Sequence, residues 1–104
     1  MKTEYIAKGF VYGKCWGGGF GGYPSREVTG KTEAELLAKA EADLKSGALD
    51  SGMGFEFLKG AVLNIEEIET IKYKDKEFKR SEYITEFIGD LTEKEQDFLL
   101  ECNL

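Results

Sequence analysis

Histidine is absent from the 104 residues of this chain. Its absence removes the usual general base, the nucleophilic systems that pair Ser or Cys with His, and zinc sites of the HExxH type. Carboxylates, lysines and tyrosines remain, but no acid–base pair stands at a recognisable spacing. We therefore expect a protein that is not an enzyme and that uses no cofactor and no metal ion.

Cysteines and long apolar runs are also scarce. Cys15 and Cys102 are the only cysteines and have no close Cys or His companions, which argues for two free thiols and against a zinc site. No apolar run is long enough to span a bilayer, and the N-terminus lacks the apolar core of a secretion signal. The expected location is therefore cytoplasmic, with no membrane contact.

Basic residues are outnumbered, with 14 against 20 acidic residues and a net charge of −6. The acids are concentrated near the C-terminus, where residues 86–101 carry six acids and one lysine. Direct binding of nucleic acid is not expected, because phosphate contacts need clustered Lys and Arg. The charge favours a protein partner with a basic surface, such as the nucleic-acid groove of an enzyme.

The length is that of one domain, residues 1–104, with a core that needs no disulfide or metal. Residues 5–16 and 26–29 are predicted strands because they are rich in β-forming residues. A helix is predicted to follow, since Thr32 and Glu35 form a capping box and Gly47 ends an apolar stripe.

The second half repeats this order. After a loop over 48–57, a strand is predicted from Gly60, with a turn at Asp75 and a return strand. The alternation slips near Glu67 and Ser81, which predicts bulges. A second capping box at residues 92–95 predicts a C-terminal helix that turns Phe98, Leu99 and Cys102 inward.

This order predicts an α+β fold, ββαββα, with two helices packed on one face of an antiparallel sheet. The strand edges at both ends of so small a sheet are compatible with a homodimer.

Five of the thirteen glycines lie in "CWGGGFGGYP", residues 15–24. Gly17, Gly19 and Gly22 even spell G-x-G-x-x-G, the dinucleotide-binding fingerprint. That motif needs a helix that opens at its third glycine, whereas here Tyr23, Pro24 and a predicted strand follow. We interpret the stretch as a loop between two strands.

Four aromatic residues lie within or beside this loop. Aromatic side chains near glycines make effective contact anchors at low entropic cost, although Trp16 and Tyr12 also suit the edge of a core. Acids of the last predicted helix are expected to steer association with a basic partner. The predicted partner-binding residues are Trp16, Phe20, Tyr23, Tyr12, Glu93, Asp97 and Glu101.

A second hypothesis treats the same loop as a small-ligand or nucleotide site, in a protein that sequesters its ligand. Backbone N–H groups of a glycine loop form anion nests, and nearby cations add charge. Its predicted ligand-binding residues are Gly17, Gly19, Gly22, Lys14 and Arg26.

The segments "YGKCWGGGFGGYPSREV", "LDSGMGFE", "GAVLNI" and "FIGDLTEKE" together form a pattern that spans most of the chain. In it the chain resembles small uncharacterised accessory proteins of bacterial phages and mobile elements, the pool that includes anti-CRISPR inhibitors of Cas9. The resemblance implies an anti-defence inhibitor and carries over no site residues. The predicted function is therefore a non-enzymatic phage-type protein that occludes a basic nucleic-acid-handling protein.

The strand pair followed by "GKTEAELLAKAEADL" is also reminiscent of HicB-type antitoxins. These are acidic proteins that neutralise a basic toxin, so this resemblance implies an antitoxin. The second half of the chain does not follow that pattern.

Overall fold

The computed structural model describes residues 2–103 and is mostly β, with 56% of residues in strands and 24% in helices. Five antiparallel strands form one curled sheet. In chain order the elements are β1 (Lys2–Cys15), β2 (Phe20–Pro24), β3 (Val28–Gly30), α1 (Glu33–Ser46), β4 (Phe55–Tyr73), β5 (Lys76–Gly89) and α2 (Glu93–Cys102).

The predicted ββαββα order is wrong, because three strands precede α1. The glycine-rich stretch, predicted to be a loop, itself contains β2, which pairs with residues 10–14 of β1. β3 pairs with residues 5–7 along the same edge of β1. Between them Ser25 donates its backbone N–H to the Gly9 carbonyl and accepts the Gly9 N–H on its Oγ, at 2.9 and 3.1 Å. The two short strands therefore act as one interrupted edge strand, and the sheet order is β2-β1-β4-β5.

The prediction that both helices pack on one face is also wrong. Side chains alternate along β4, and Ala61, Leu63 and Ile65 join the main core under α1. Asn64, which points the other way, exchanges side-chain hydrogen bonds with Asn103 at the end of α2, at 2.7 and 2.9 Å. The helices therefore cover opposite faces of the sheet.

Two apolar layers result from this arrangement. The main core combines Leu36, Ala40 and Leu44 of α1 with strand residues and with Leu49. Val62 and Leu99 are completely buried but lie outside that cluster. Because the sheet is apolar on both sides only where the helices cover it, the fold has its buried part at one end.

Both helices begin at the capping residues from which their starts were predicted. The Thr32 side chain accepts the N–H of Glu35, and α1 ends at Gly47, whose φ of 81° is left-handed. The reciprocal capping box of Thr92 and Glu95 is complete at the start of α2. Local hydrogen bonding explains why these boundaries were predictable.

The β4–β5 hairpin extends beyond the rest of the sheet and makes the molecule 57 Å long. Lys2 of β1 pairs with Thr70, so residues 71–78 form a two-stranded tip with the turn at Lys74 and Asp75. The register between β4 and β5 is continuous from Gly60 to Tyr73, and the predicted bulges are therefore absent from this hairpin. The observed register shifts lie between β1 and β4, at Tyr12/Gly13 and Lys14/Cys15.

Candidate protein-docking site

A tight turn presents the most exposed predicted anchor. The Cys15 N–H donates to the Gly19 carbonyl at 2.8 Å, and the Gly18 N–H returns to the Cys15 carbonyl at 3.1 Å. Gly17 and Gly18 have φ values of 117° and 98°, which L-residues with side chains rarely adopt. The turn leaves Trp16 73% exposed.

Four aromatic rings form a connected cluster beside this turn, which we name the aromatic patch: Tyr12, Phe20, Phe57 and Phe98. Tyr12 stacks on Phe20 at a centroid distance of 5.8 Å and meets Phe98 edge-on at 6.0 Å. Phe57 meets Phe20 edge-on at 6.1 Å. The three phenylalanines are between 42% and 53% exposed. So much contiguous aromatic surface is typical of an interaction site.

A braced loop flanks the patch. The Asp50 carboxylate accepts backbone N–H groups from residues 52, 53, 54 and 55 at 2.9–3.3 Å. Although partial burial opposes the shift, these donors lower the pKa of Asp50 below its usual value. The loop holds Met53 52% exposed, and its Gly54 carbonyl accepts the Trp16 N–H at 3.2 Å. Trp16 and Met53 are thus carried by turns that are hydrogen-bonded to each other.

An ion pair braces α2 beside the patch. Lys59 Nζ lies 2.7 and 2.9 Å from the two carboxylate oxygens of Glu95. This ammonium, helped by the Thr92 N–H, lowers the pKa of Glu95 to about 2. Burial, together with the neighbouring Glu95 carboxylate, raises the pKa of Tyr12. A shallow cleft of about 280 Å³ opens here between Tyr12, Phe20, Phe98 and the side chains of residues 94 and 95.

The predicted acids lie on α2, the helix that carries Phe98. Glu93, Asp97 and Glu101 are all exposed on α2 and are spaced four residues apart, so they follow one side of the helix. Phe98 of the same helix contacts Tyr12, and Trp16 lies on the turn that precedes Phe20. The charged side chains that line the cleft beside the rings are Lys94 and the ion-paired Glu95.

Tyr23 is the predicted anchor that the structure separates from the others. It lies opposite Val11 on the α1 face and packs edge-on against Phe55 at 5.4 Å. Phe55 in turn packs on the main core. Tyr23 is therefore half-buried on the face opposite the aromatic patch.

The predicted ligand-binding residues do not form an anion site together. A Cβ on Gly22 would lie 3.0 Å from the Phe98 ring and 3.1 Å from Leu99, so Gly22 lies under α2. Lys14 pairs with Glu56 at 3.5 Å, and Arg26 donates its Nε–H to the Asp50 carbonyl at 3.0 Å. Gly17 and Gly19 remain in the exposed turn. The loop amides that do converge already bind the protein's own Asp50 carboxylate.

A metal site is likewise not assembled among residues 2–103, where no three acidic or Cys side chains converge on one point. Cys15 and Cys102 are both half-buried free thiols.

Phe57, Phe98 and Met53 are patch or flanking residues that sequence reasoning missed. Phe98 was expected to face inward with Leu99, yet it lies at the surface while Leu99 is buried. Phe55 and Phe57 alternate around Glu56, and this spacing was the one signal that they face opposite sides. The structure places Phe55 in the main core and Phe57 in the patch.

Comparison with known proteins found no matching family model, no matching curated protein and no matching solved structure. Within the described part of the chain, neither helix has the length and apolar character needed to cross a membrane.

Proposed function

We propose that this chain is a non-catalytic binding protein that docks on a basic, nucleic-acid-handling protein and occludes its working surface. The aromatic patch and Trp16 make the contact, and the acids of α2 orient the approach. In this proposal the protein acts in the cytoplasm and needs no cofactor.

The exposed rings carry the proposal. Phe20, Phe57 and Phe98 leave about half of their surfaces in water, although a completely buried layer lies directly beneath α2. Interface hot spots are enriched in aromatic side chains that become desolvated in the complex. Since three ring contacts already hold these side chains in place, binding costs little conformational entropy.

The exposed acids of α2 indicate the chemistry of the partner. Glu93, Asp97 and Glu101 are exposed along α2, and they belong to the segment 86–101 with six acids and one lysine. Such a surface attracts a Lys- and Arg-rich groove of the kind that binds nucleic acid. A phage-type inhibitor, which the sequence resembles, would act in this way.

The test is a pull-down from lysate of the source cells with three tagged proteins: wild type, the double variant Trp16→Ala/Phe20→Ala, and Tyr73→Ala. Tyr73 is 65% exposed on the distant hairpin tip and serves as the matched control. We expect wild type and Tyr73→Ala to capture the same protein, after nuclease treatment as well, and the double variant to lose it. Equal capture by all three proteins contradicts the proposal.

The captured protein also separates the two biological interpretations. A nuclease of a defence system supports the inhibitor, whereas a small basic toxin supports an antitoxin of the HicB type. Capture that disappears with nuclease treatment overturns both, because the contact would then run through nucleic acid.

A further inference from the structure

The outer edge of β5 is long and is not covered by another segment within residues 2–103. Residues 76–89 pair with β4 on one side only, and β2 lies at the far edge of the sheet. The register is continuous, the strand contains no proline, and residues 76–85 are exposed. Proteins usually protect such an edge with bulges, prolines, charged side chains or a covering segment, because it pairs readily with another strand. Of these, β5 has the charged side chains, and whether a second copy can pair here depends on how those charges meet.

We propose that this edge pairs with β5 of a second copy, antiparallel about Ser81, and so joins two sheets into one. The dimer lies on a different part of the molecule from the aromatic patch, and it does not depend on the proposed function.

The backbone N–H and C=O groups of β5 alternate in direction as this pairing requires. The two-residue turn at Lys74 and Asp75 makes Tyr73 and Lys76 the first hydrogen-bonded pair of the hairpin. The even-numbered residues of β5 then bond to β4, while odd-numbered residues direct their N–H and C=O groups outward. Pairing about Ser81 matches odd with odd residues and forms about ten new backbone hydrogen bonds over residues 77–85.

The side chains are self-complementary in this register. Arg80 meets Glu82 of the second copy, and Phe78 meets Ile84. On the other face Lys79 meets Tyr83, a favourable cation–aromatic pair. Each of these contacts occurs twice because of the two-fold axis.

Neighbouring registers are unfavourable. Moving the axis by one residue toward the turn places Arg80 opposite Arg80, and moving it the other way places Glu82 opposite Glu82. Like charges directly opposite each other destabilise a pair of strands. Registers that match odd with even residues fail because outward-facing groups then meet groups already bonded to β4.

The surroundings of Glu82 independently support this register. It lies directly opposite Glu67 on β4 and forms no ion pair within residues 2–103. Arg80 pairs with Glu69 at 3.1 Å and still has a 66% exposed side chain. In the dimer the second copy's Arg80 supplies the cation that Glu82 lacks.

The distribution of charge along the hairpin supports the same arrangement. Residues 72–80 carry five cations and two acids, whereas residues 86–101 carry six acids and one lysine. Antiparallel pairing about Ser81 brings the basic tip of one copy beside the start of the acidic segment of the other. A second copy therefore complements this surface in both shape and charge.

The test uses sedimentation velocity on wild type, Arg80→Glu, Glu82→Arg and an equimolar mixture of the two variants. Alone, each variant places like charges opposite each other twice, and we expect its dimer to be weakened at least about tenfold. In the mixture, the heterodimer has two attractive pairs. The introduced glutamate of one variant meets the introduced arginine of the other, and the native Glu82 of the first meets the native Arg80 of the second. We therefore expect wild type and the mixture to sediment as dimers and each variant alone as a monomer.

Lys45→Glu, a charge reversal at an exposed position of α1, is the control that should remain dimeric, and far-UV circular dichroism confirms that every variant is folded. A wild type that is monomeric at about 100 µM overturns the proposal. So does a dimer that both single variants retain, or a mixture that stays monomeric when each variant alone is a monomer.

Discussion

Lys59 of β4 and Glu95 of α2 join the sheet to the helix through a bidentate ion pair. Lys59 Nζ lies 2.7 Å from one carboxylate oxygen of Glu95 and 2.9 Å from the other. The same Glu95 carboxylate accepts the Thr92 N–H that closes the capping box, at 2.8 Å. One side chain thus fixes both the start of α2 and its position on the sheet. Since α2 carries Phe98 and the acidic row, this pair positions the candidate docking site.

Glu95 makes stability depend on pH in the acid range. Its pKa is about 2 in the folded protein and near 4.5 in an unfolded chain, so the ionised form favours folding. The stabilisation is complete above about pH 4.5 and is lost as the pH falls towards 2. We expect Glu95→Gln to be less stable than wild type at pH 7 and to lose less stability on acidification.

The measurement is urea denaturation at pH 7, 4 and 3. Asp50, whose pKa is also lowered, remains in both proteins, so a residual acid dependence is expected in the variant. Equal acid sensitivity of wild type and Glu95→Gln rules out this role for Glu95.

Asp50 holds the loop that carries Met53. Asp50→Ala removes the acceptor of four backbone N–H groups, and we expect it to cost about 1 kcal/mol or more of stability. Hydrogen exchange at the amides of residues 52–55 should accelerate well beyond any change at α1. Asp97→Ala, at an exposed helix position, is the control. Unchanged protection of the loop amides contradicts this account of the bracing.

Gly9 is required by a close approach between β1 and β4. A Cβ at this position would collide with the backbone carbonyl oxygen of Val62, which cannot move without breaking the sheet. We expect Gly9→Ala to destabilise by about 2 kcal/mol or more. Gly21→Ala is the matched control, because the nearest atom to its Cβ would be a Tyr23 ring carbon at 3.4 Å. Thermal unfolding of both variants is the measurement, and similar midpoints would disprove the close-approach argument.

The parts of the fold that were predictable are those set by neighbouring residues. Thr32, Gly47 and the Thr92–Glu95 box define the helix boundaries through contacts within four residues. The turn at Asp75 is likewise determined by neighbouring residues. By contrast, β2 contains two glycines and a proline, so its strand conformation comes from pairing with residues 10–14 of β1 rather than from its own propensity.

The face of the sheet that each helix covers was not predictable either, because it depends on contacts between residues far apart in the sequence. Leu99 in α2 shows that one side of the helix is buried, but it does not say against which face of the sheet. Gly22, which allows α2 to approach β2, looks like any other glycine in a run. The expected bulges near Glu67 and Ser81 were wrong because residues 66–70 are only half-buried and residues 76–85 are exposed. Polar side chains are therefore tolerated on both faces there, and a break in the alternation needs no bulge.

The candidate site was predicted in part. Trp16, Phe20 and the acids of α2 are exposed as a contact surface requires. Phe57 and Phe98 complete the patch only through pairing and packing that bring residues 12, 20, 57 and 98 together. Tyr23, near the end of the loop stretch, takes the opposite face because β2 alternates.

The acidic row is expected to act on the rate of association. Glu93→Gln/Asp97→Gln/Glu101→Gln should slow binding to the captured partner, with little change in dissociation, because exposed charges steer encounter. Raising the salt concentration should slow wild type and leave the triple variant nearly unchanged. Stopped-flow association at several salt concentrations measures this. An association rate of wild type that does not vary with salt removes electrostatic steering from the account.

The central claim is tested most directly by the affinity of the captured partner for wild type, Trp16→Ala and Phe20→Ala, with Tyr73→Ala as control. Isothermal titration calorimetry measures this affinity, and the unfolding free energy of each variant is measured beside it. Trp16 is 73% exposed, so Trp16→Ala should change stability by no more than about 0.5 kcal/mol. Phe20→Ala loses two ring contacts and should cost about 1 kcal/mol or more of stability. Binding should weaken by about 2 kcal/mol for at least one of these two substitutions and be unchanged for Tyr73→Ala. Substitutions that destabilise the fold but leave the affinity of the folded protein at the wild-type value contradict the claim that these aromatics are the docking surface.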